Sequence, residues 1–374
     1  MFLLVAGIIA WRAPRRHRLT LVAALLLPAA AFVATMSPTK VWASSDCASS
    51  TTDSTTTTIA GQTTSTTVAT QTSTVPPTTA PPVCQSTTIA VGSTPYGLAI
   101  TPDGSTLYVP NFNGSNVSVI RTSDNTVTST LAGFLSVNDI VISPDGTTAY
   151  MTSYGAGLVY VVRTSDNTVI STINVGHFPT AIDISPNGAT LYVSRYLGDD
   201  VKVIRTSDNA ITATIPVGSD PQDVRVSPNG LFAYVSNLSS NNLSVINTAT
   251  NAVTGTIAVG NGPVHVAFTA DSSNAYVANT INSTVSVVNT ATGTVTATIA
   301  VGTGPGSVSL SPNGSFAYVG NYASNNVSVI NTATGLIATT ISVGNGPISI
   351  AISPDGTRAY VSNFGSNSVS VLCL

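Results

Sequence analysis

Glutamate is absent from this 374-residue chain, so every acid is an aspartate and a mechanism built on a glutamate base or nucleophile is excluded. Charge of either sign is scarce. Charged residues make up 7% of the chain, with 12 Lys+Arg against 15 acids and a formal net charge of −3. Five of the basic residues (Arg12, Arg15, Arg16, Arg18, Lys40) stand in the first 40 positions, which leaves seven against thirteen aspartates from Cys84 onward. A surface that acidic does not hold phosphates, and nucleic acid is not an expected partner. Catalytic signatures are missing as well: there is no Gly-x-Ser-x-Gly elbow, no phosphate-cradling glycine loop ahead of a helix, no Cys-x-x-Cys and no His-x-x-x-His. Hydrolase triads, nucleotide enzymes and zinc sites of known spacing therefore find no support, and no cofactor is expected. With 43% hydrophobic residues the chain can still bury a core, so wholesale disorder is excluded.

What is present is repetition. Thr101-Pro102-Asp103-Gly104 returns as related tetrapeptides beginning at Ser143, Ser185, Ser227, Thr269, Ser311 and Ser353, a step of 42 residues each time. Seven tyrosines keep that step (Tyr108, Tyr150, Tyr192, Tyr234, Tyr276, Tyr318, Tyr360). So does a Thr-Ile-x-Val-Gly segment beginning at Thr88, Thr172, Thr214, Thr256, Thr298 and Thr340, with a deviant copy at Thr130. Each repeat is rich in Val, Ile, Thr and Tyr, alternates with period two and is punctuated by Gly or Pro about every ten residues, which reads as four short strands. In the first copy these are expected over 97–100, 107–109, 117–120 and 126–131. Seven such copies predict an all-β fold: a seven-bladed β-propeller of four-stranded antiparallel blades over residues 83–374.

The motif Tyr-Val-x-Asn (Tyr234 to Asn237, Tyr276 to Asn279, Tyr360 to Asn363) resembles the YVTN family of β-propeller repeats. The resemblance implies the fold; it does not imply one activity, because propellers host binding, scaffolding and catalysis alike. Some similar seven-bladed propellers are lactonases with acidic, basic and histidine residues at the channel mouth, and no residue-by-residue match to such a set is found here.

The seventh copy ends at Leu374 after its third strand, while Ser86 to Gly92 is an orphan fourth strand, so the N-terminal strand is expected to complete the last blade. One repeat after Cys84 stands Thr126, and six repeats before Cys373 stands Arg121, the two residues flanking a hairpin loop. Cys84 and Cys373 should therefore face each other across antiparallel strands and form a disulfide in place of the missing turn. An oxidising compartment follows. Residues 1–43, with arginines ahead of an apolar run from Leu19 to Ala34, read as a signal peptide, with a retained membrane anchor as the alternative. Residues 44–82 contain 22 Ser or Thr among 39 and end in proline pairs, the composition of a disordered stalk. The expected location is secreted or cell-surface, with any membrane contact confined to the N-terminal segment.

A residue repeated in every copy builds the blade; one that is not repeated can serve a site. On the innermost strands, four residues before each turn stand Gly97, Asp139, Ala181, Asp223, His265, Ser307 and Ser349, and two before it Ala99, Val141, Asp183, Arg225, Ala267, Ser309 and Ala351. The position between them is always apolar, so the polar set shares the strand face near the central channel. Asp183 is expected to pair with Arg225 as a structural ion pair. Asp139, Asp223 and His265, with His177 and Asp220 from the entry loops, are expected to form a channel-mouth site for a cation or polar ligand; any metal is left unspecified. Phe112, Tyr154, Tyr196, Tyr322 and Phe364 fall at equivalent places in the loop between second and third strands, where they are expected either to form an aromatic ring for stacking on a sugar or a partner protein or to pack each on its own blade. The resulting expectation is a monomeric binding module for a protein or glycan at the cell envelope. A lactonase-like or other hydrolase, or a purely structural envelope component, is the alternative.

Overall fold

Strand segments separated by turns of a few residues can pair only with their sequence neighbours, as antiparallel meanders. The computed structural model describes residues 84–374, and within them 28 strands form seven four-stranded antiparallel sheets. The leader, the stalk and Cys47 lie outside the described residues, among which no helix is long and apolar enough to cross a membrane. Blades 1 to 6 span residues 99–132, 137–174, 179–216, 221–258, 263–300 and 305–342, each running in chain order from the innermost strand to the outermost. Blade 7 takes Pro347–Ile352, Arg358–Asn363 and Ser368–Cys373, and its outer strand is Cys84–Ala90 from the other end of the described chain. The ring is thus closed by the N-terminal strand. Cys84 stands opposite Cys373 as Thr126 stands opposite Arg121 in blade 1.

One strand departs from expectation. The inner strand of blade 1 is only Ala99–Ile100, where the other blades have six residues. Its neighbour Thr106–Asn111 carries Pro110, which has no N–H to give the ladder, so pairing resumes only as an isolated bridge between Pro95 and Asn111.

The repeated residues hold blade to blade. Tyr108, buried, sends its hydroxyl to Asn167 Oδ1 of the next blade at 2.7 Å, and Tyr360 reaches Asn125 across the closure at 3.4 Å. The asparagine of Tyr-Val-x-Asn donates to the third strand, Asn237 Nδ2 meeting Asn242 Oδ1 at 2.8 Å and Ser244 Oγ at 2.9 Å. It lies against the glycine that follows the preceding outer strand, Ala210–Pro216: a Cβ on Gly218 would stand 2.6 Å from Asn237 Cγ. The two sequence motifs are therefore halves of one contact. Fully buried side chains such as Leu107, Ile182 and Leu191 fill the space between sheets, each contributing about 1.5–3 kcal/mol.

Turn aspartates act locally. Asp103 accepts the Thr101 hydroxyl at 2.5 Å and the Ser105 N–H at 3.0 Å, and those bonds hold its carboxyl below the ordinary range. Arg121–Asp124, Arg163–Asp166 and Arg205–Asp208 are exposed pairs in the hairpins between third and fourth strands.

Candidate functional site

An innermost strand has no partner on its channel side, so its free N–H and C=O groups must find other acceptors and donors. In blades 2, 3 and 4 aspartates fill this role. Asp139 Oδ2 accepts the N–H of Ile182 at 3.0 Å, Asp183 Oδ2 that of Val226 at 2.7 Å, and Asp223 Oδ2 that of Val266 at 2.8 Å, each on the next blade. A β-bulge near the start of the strand sets these side chains toward the ring axis, as between Pro221 and Asp223. Gly97 gives Asp139 its room, since a Cβ there would lie 2.8 Å from Asp139 Oδ1.

Arg225 binds this arc together. Its Nε lies 3.0 Å from Asp223 Oδ1, its Nη2 3.7 Å from Asp139 Oδ2, and the same Nη2 3.3 Å from His265 Nε2. A guanidinium can only donate, so Nε2 accepts and the imidazole proton sits on Nδ1. That N–H is buried without a hydrogen-bond partner, 3.9 Å from Asp223 Oδ2. Burial, helped by the Arg225 charge and opposed by Asp223, pushes His265 down to about 4, so the ring is neutral at physiological pH. Burial likewise raises Asp139 to about 6; Arg225 opposes that rise and Asp223 adds to it. Asp183 is raised for the same first cause. Arg225 stays charged: burial opposes its proton, and Asp223, Asp139 and Asp183 together outweigh that penalty.

The expected Asp183–Arg225 ion pair does not form. Both residues start from the same level, but the long arginine side chain climbs one level to Asp223 and Asp139, while the short Asp183 carboxylate stays on backbone amides, Val226 N–H and its neighbour Ile184 N–H at 2.9 Å. Asp183 remains within electrostatic reach of Arg225.

Asp139, Asp183, Arg225 and His265 line a channel cavity of about 340 Å³, whose far wall is Ser309, Ser349 and apolar residues such as Phe268 and Ile350. His177 and Asp220 do not join them. His177 is exposed beside Phe178, with ring centroids 5.9 Å apart. Asp220 has φ 58° and is tied to neighbouring loops: its N–H donates to Asp199 Oδ1 at 2.8 Å and its carboxylate accepts the Ser239 hydroxyl. Its charge acts on Tyr154 and Tyr196 instead.

The aromatic residues do come together, through a member that sequence comparison missed. Tyr96 lies 6.2 Å from Phe112 and 6.1 Å from Phe364. From there the row extends to Tyr154 and Phe178 on one side and to Tyr322 on the other. Tyr196 adjoins Tyr154 electrostatically. Tyr96 and Phe178 belong to the loops entering the inner strands rather than to the aligned loop. The available signal was that Tyr96 is the lone aromatic at its repeat position, where the other copies have Asn138, Thr180, Gln222, Val264, Gly306 and Ile348. Burial raises the Tyr96 hydroxyl, with Asp139, Tyr154 and Tyr322 adding to the shift. The ring row approaches the charged arc at Asp139, because Gly97, next to Tyr96, donates its N–H to the Asn138 carbonyl at 2.9 Å and abuts the Asp139 carboxylate.

No curated protein matches this chain. Among solved structures, a chain of Kuenenia stuttgartiensis hydrazine synthase is similar, with a TM-score of 0.70 over 76% of this chain and 96% of that one. At 23% identity it shows the fold alone. The family model described as lactonase, 7-bladed β-propeller, matches residues 125–257 and 246–374. The repeat spacing, the closed ring and this match agree: the chain belongs to the seven-bladed β-propeller lactonase family.

Proposed function

We propose that this protein is a binding module displayed outside the cell, with the channel arc of Asp139, Asp223, Arg225 and His265 as its site for a small polar ligand. The observation that carries the reading is an arginine shared by two carboxylates beside His265, whose Nδ1–H is buried without a partner; Asp139, Arg225 and His265 line one cavity, with Asp223 buried behind them. Such a set is pre-organised, so binding would cost little reorganisation. The Ser/Thr-rich stalk, the arginine-headed leader and repeats like those of the YVTN family support surface display. The register of Cys84 against Cys373 supports a disulfide closing the ring.

Lactone hydrolysis is the second reading, favoured by family membership and by Asp139, whose carboxyl, pushed up to about 6, suits a general base beside a neutral N–H donor. Calorimetry and hydrolysis assays of the full chain against small amines, monosaccharides and lactones test both. Wild type should bind a member of the panel that Asp223→Asn combined with His265→Gln does not, and lactone turnover would select the second reading. A panel in which no ligand distinguishes the two proteins would overturn the site.

A further inference from the structure

The channel arc carries more negative charge than it neutralises. Three carboxylates, Asp139, Asp183 and Asp223, face one guanidinium, and the neutral His265 adds nothing. Arg225 is shared by Asp223 and Asp139, so carboxyl groups outnumber cationic ones three to one in the arc, a balance that favours a cation. Each of these carboxylates already gives one oxygen to a backbone N–H of the next blade. Among the described residues no group of three or more His, Cys, Asp or Glu side chains could hold a metal ion.

The rings that adjoin Asp139 point to a particular kind of cation. Phe112, Tyr96 and Phe364 stand side by side, with Tyr154 and Tyr322 next on either side, all half-buried. Tyr96 feels Tyr154, Tyr322 and Asp139 electrostatically, and the next residue, Gly97, abuts the Asp139 carboxylate, a Cβ there falling 2.8 Å from Oδ1. Aromatic faces attract cations through their quadrupole, most effectively cations that shed water easily. An organic ammonium is weakly hydrated and suits rings that adjoin a carboxylate, its methyl or methylene groups meeting the aromatic faces and its charge met by Asp139.

We infer that the aromatic mouth formed by Tyr96, Phe112, Phe364, Tyr154 and Tyr322, with Asp139 at its base, binds an organic ammonium group such as a quaternary amine. The inference rests on the channel-site reading above and names its ligand class. Tyr96 determines the specificity: it alone touches both Phe112 and Phe364 and lies within reach of the Asp139 charge.

Titration calorimetry of the full chain with choline, tetramethylammonium and the uncharged isostere 3,3-dimethylbutan-1-ol tests it, each variant's melting temperature being recorded alongside. Both cations should bind and the alcohol should not. Tyr96→Leu and Asp139→Asn should each weaken choline binding roughly tenfold while melting as a folded propeller. Asp271→Asn, in a turn at the opposite end of the blades, should leave the isotherm unchanged. Equal affinity for the alcohol, or cation binding that ignores Tyr96→Leu, would overturn the ammonium assignment. Binding of a sugar or lactone but of neither cation would overturn it while leaving the channel site standing, and silence from every ligand would remove both.

Discussion

The inner strands of blades 2–5 and those of blades 6, 7 and 1 have the same apolar positions and differ at the polar ones. The first group presents Asp139, Asp183, Asp223, Arg225 and His265; the second presents Ser307, Ser309, Ser349, Gly97 and two alanines. Both groups must serve an inner strand without a channel-side partner. In blade 6 a neutral hydroxyl does so, Ser309 Oγ donating to the Ile350 carbonyl at 2.7 Å; in blade 7 Ser362 Oγ, from the second strand, donates to the carbonyl of Tyr96 in the loop entering blade 1 at 2.6 Å. Joining one blade to the next therefore does not require charge. A buried charged cluster carries desolvation costs that the serine half avoids, so its presence on one side of the ring marks a site.

The comparison breaks most visibly at Asp223, whose side chain is 2% exposed. Asp223→Ala strips Arg225 of its closest partner and the Val266 N–H of its acceptor, and should cost about 3–5 kcal/mol in chemical denaturation. The matching change in the neutral half, Ser349→Ala, should cost less than about 1 kcal/mol.

Acid sensitivity sharpens it at intermediate size. The raised Asp139 means that the folded protein holds a proton the unfolded chain gives up, so its contribution to stability grows as pH falls from about 6 toward 3.8. His265, lowered from 6.5 to about 4, acts the other way: the unfolded chain gains the proton first, so stability is lost as pH falls through that window. The two slopes oppose each other. Asp139→Asn should expose a steeper acid loss between pH 6.5 and 4, and His265→Gln should show the reverse slope relative to wild type, both read from melting curves across that range. Parallel curves for all three proteins would show that neither group is perturbed. The smallest effect belongs to an exposed pair: Arg163→Ala should cost no more than about 1 kcal/mol.

Much of this was legible in the sequence because it recurs. The 42-residue step yields the blades, the unfinished seventh copy yields the closure by Cys84–Ala90, and alternation places the polar inner set on one face. What escaped depends on side-chain reach and loop direction. Alignment gives the level of a Cα, and at that level Arg225 meets Asp183; a guanidinium several bonds away is free to choose the stronger field one level up. His177 and Asp220 sit in loops whose positive φ values, 62° at Phe178 and 58° at Asp220, have no counterpart in strand periodicity. Tyr96 lies in the loop entering the inner strand, outside the aligned loop between second and third strands, so only its being the lone aromatic at its repeat position pointed to it.

The most direct measurement replaces the charged half by a neutral one. A variant carrying Asp139→Asn, Asp183→Asn, Asp223→Asn, Arg225→Met and His265→Gln removes the charge as a unit, keeps a carbonyl oxygen for the Ile182, Val226 and Val266 N–H groups and leaves no charge unpaired, and replacements of similar volume are often neutral or stabilising. Its melting curve and its calorimetric titration against the ligand panel would be recorded beside those of wild type. The account predicts a propeller that melts cooperatively near the wild-type temperature and binds nothing; unfolding of the variant, or ligand binding equal to wild type, would contradict it.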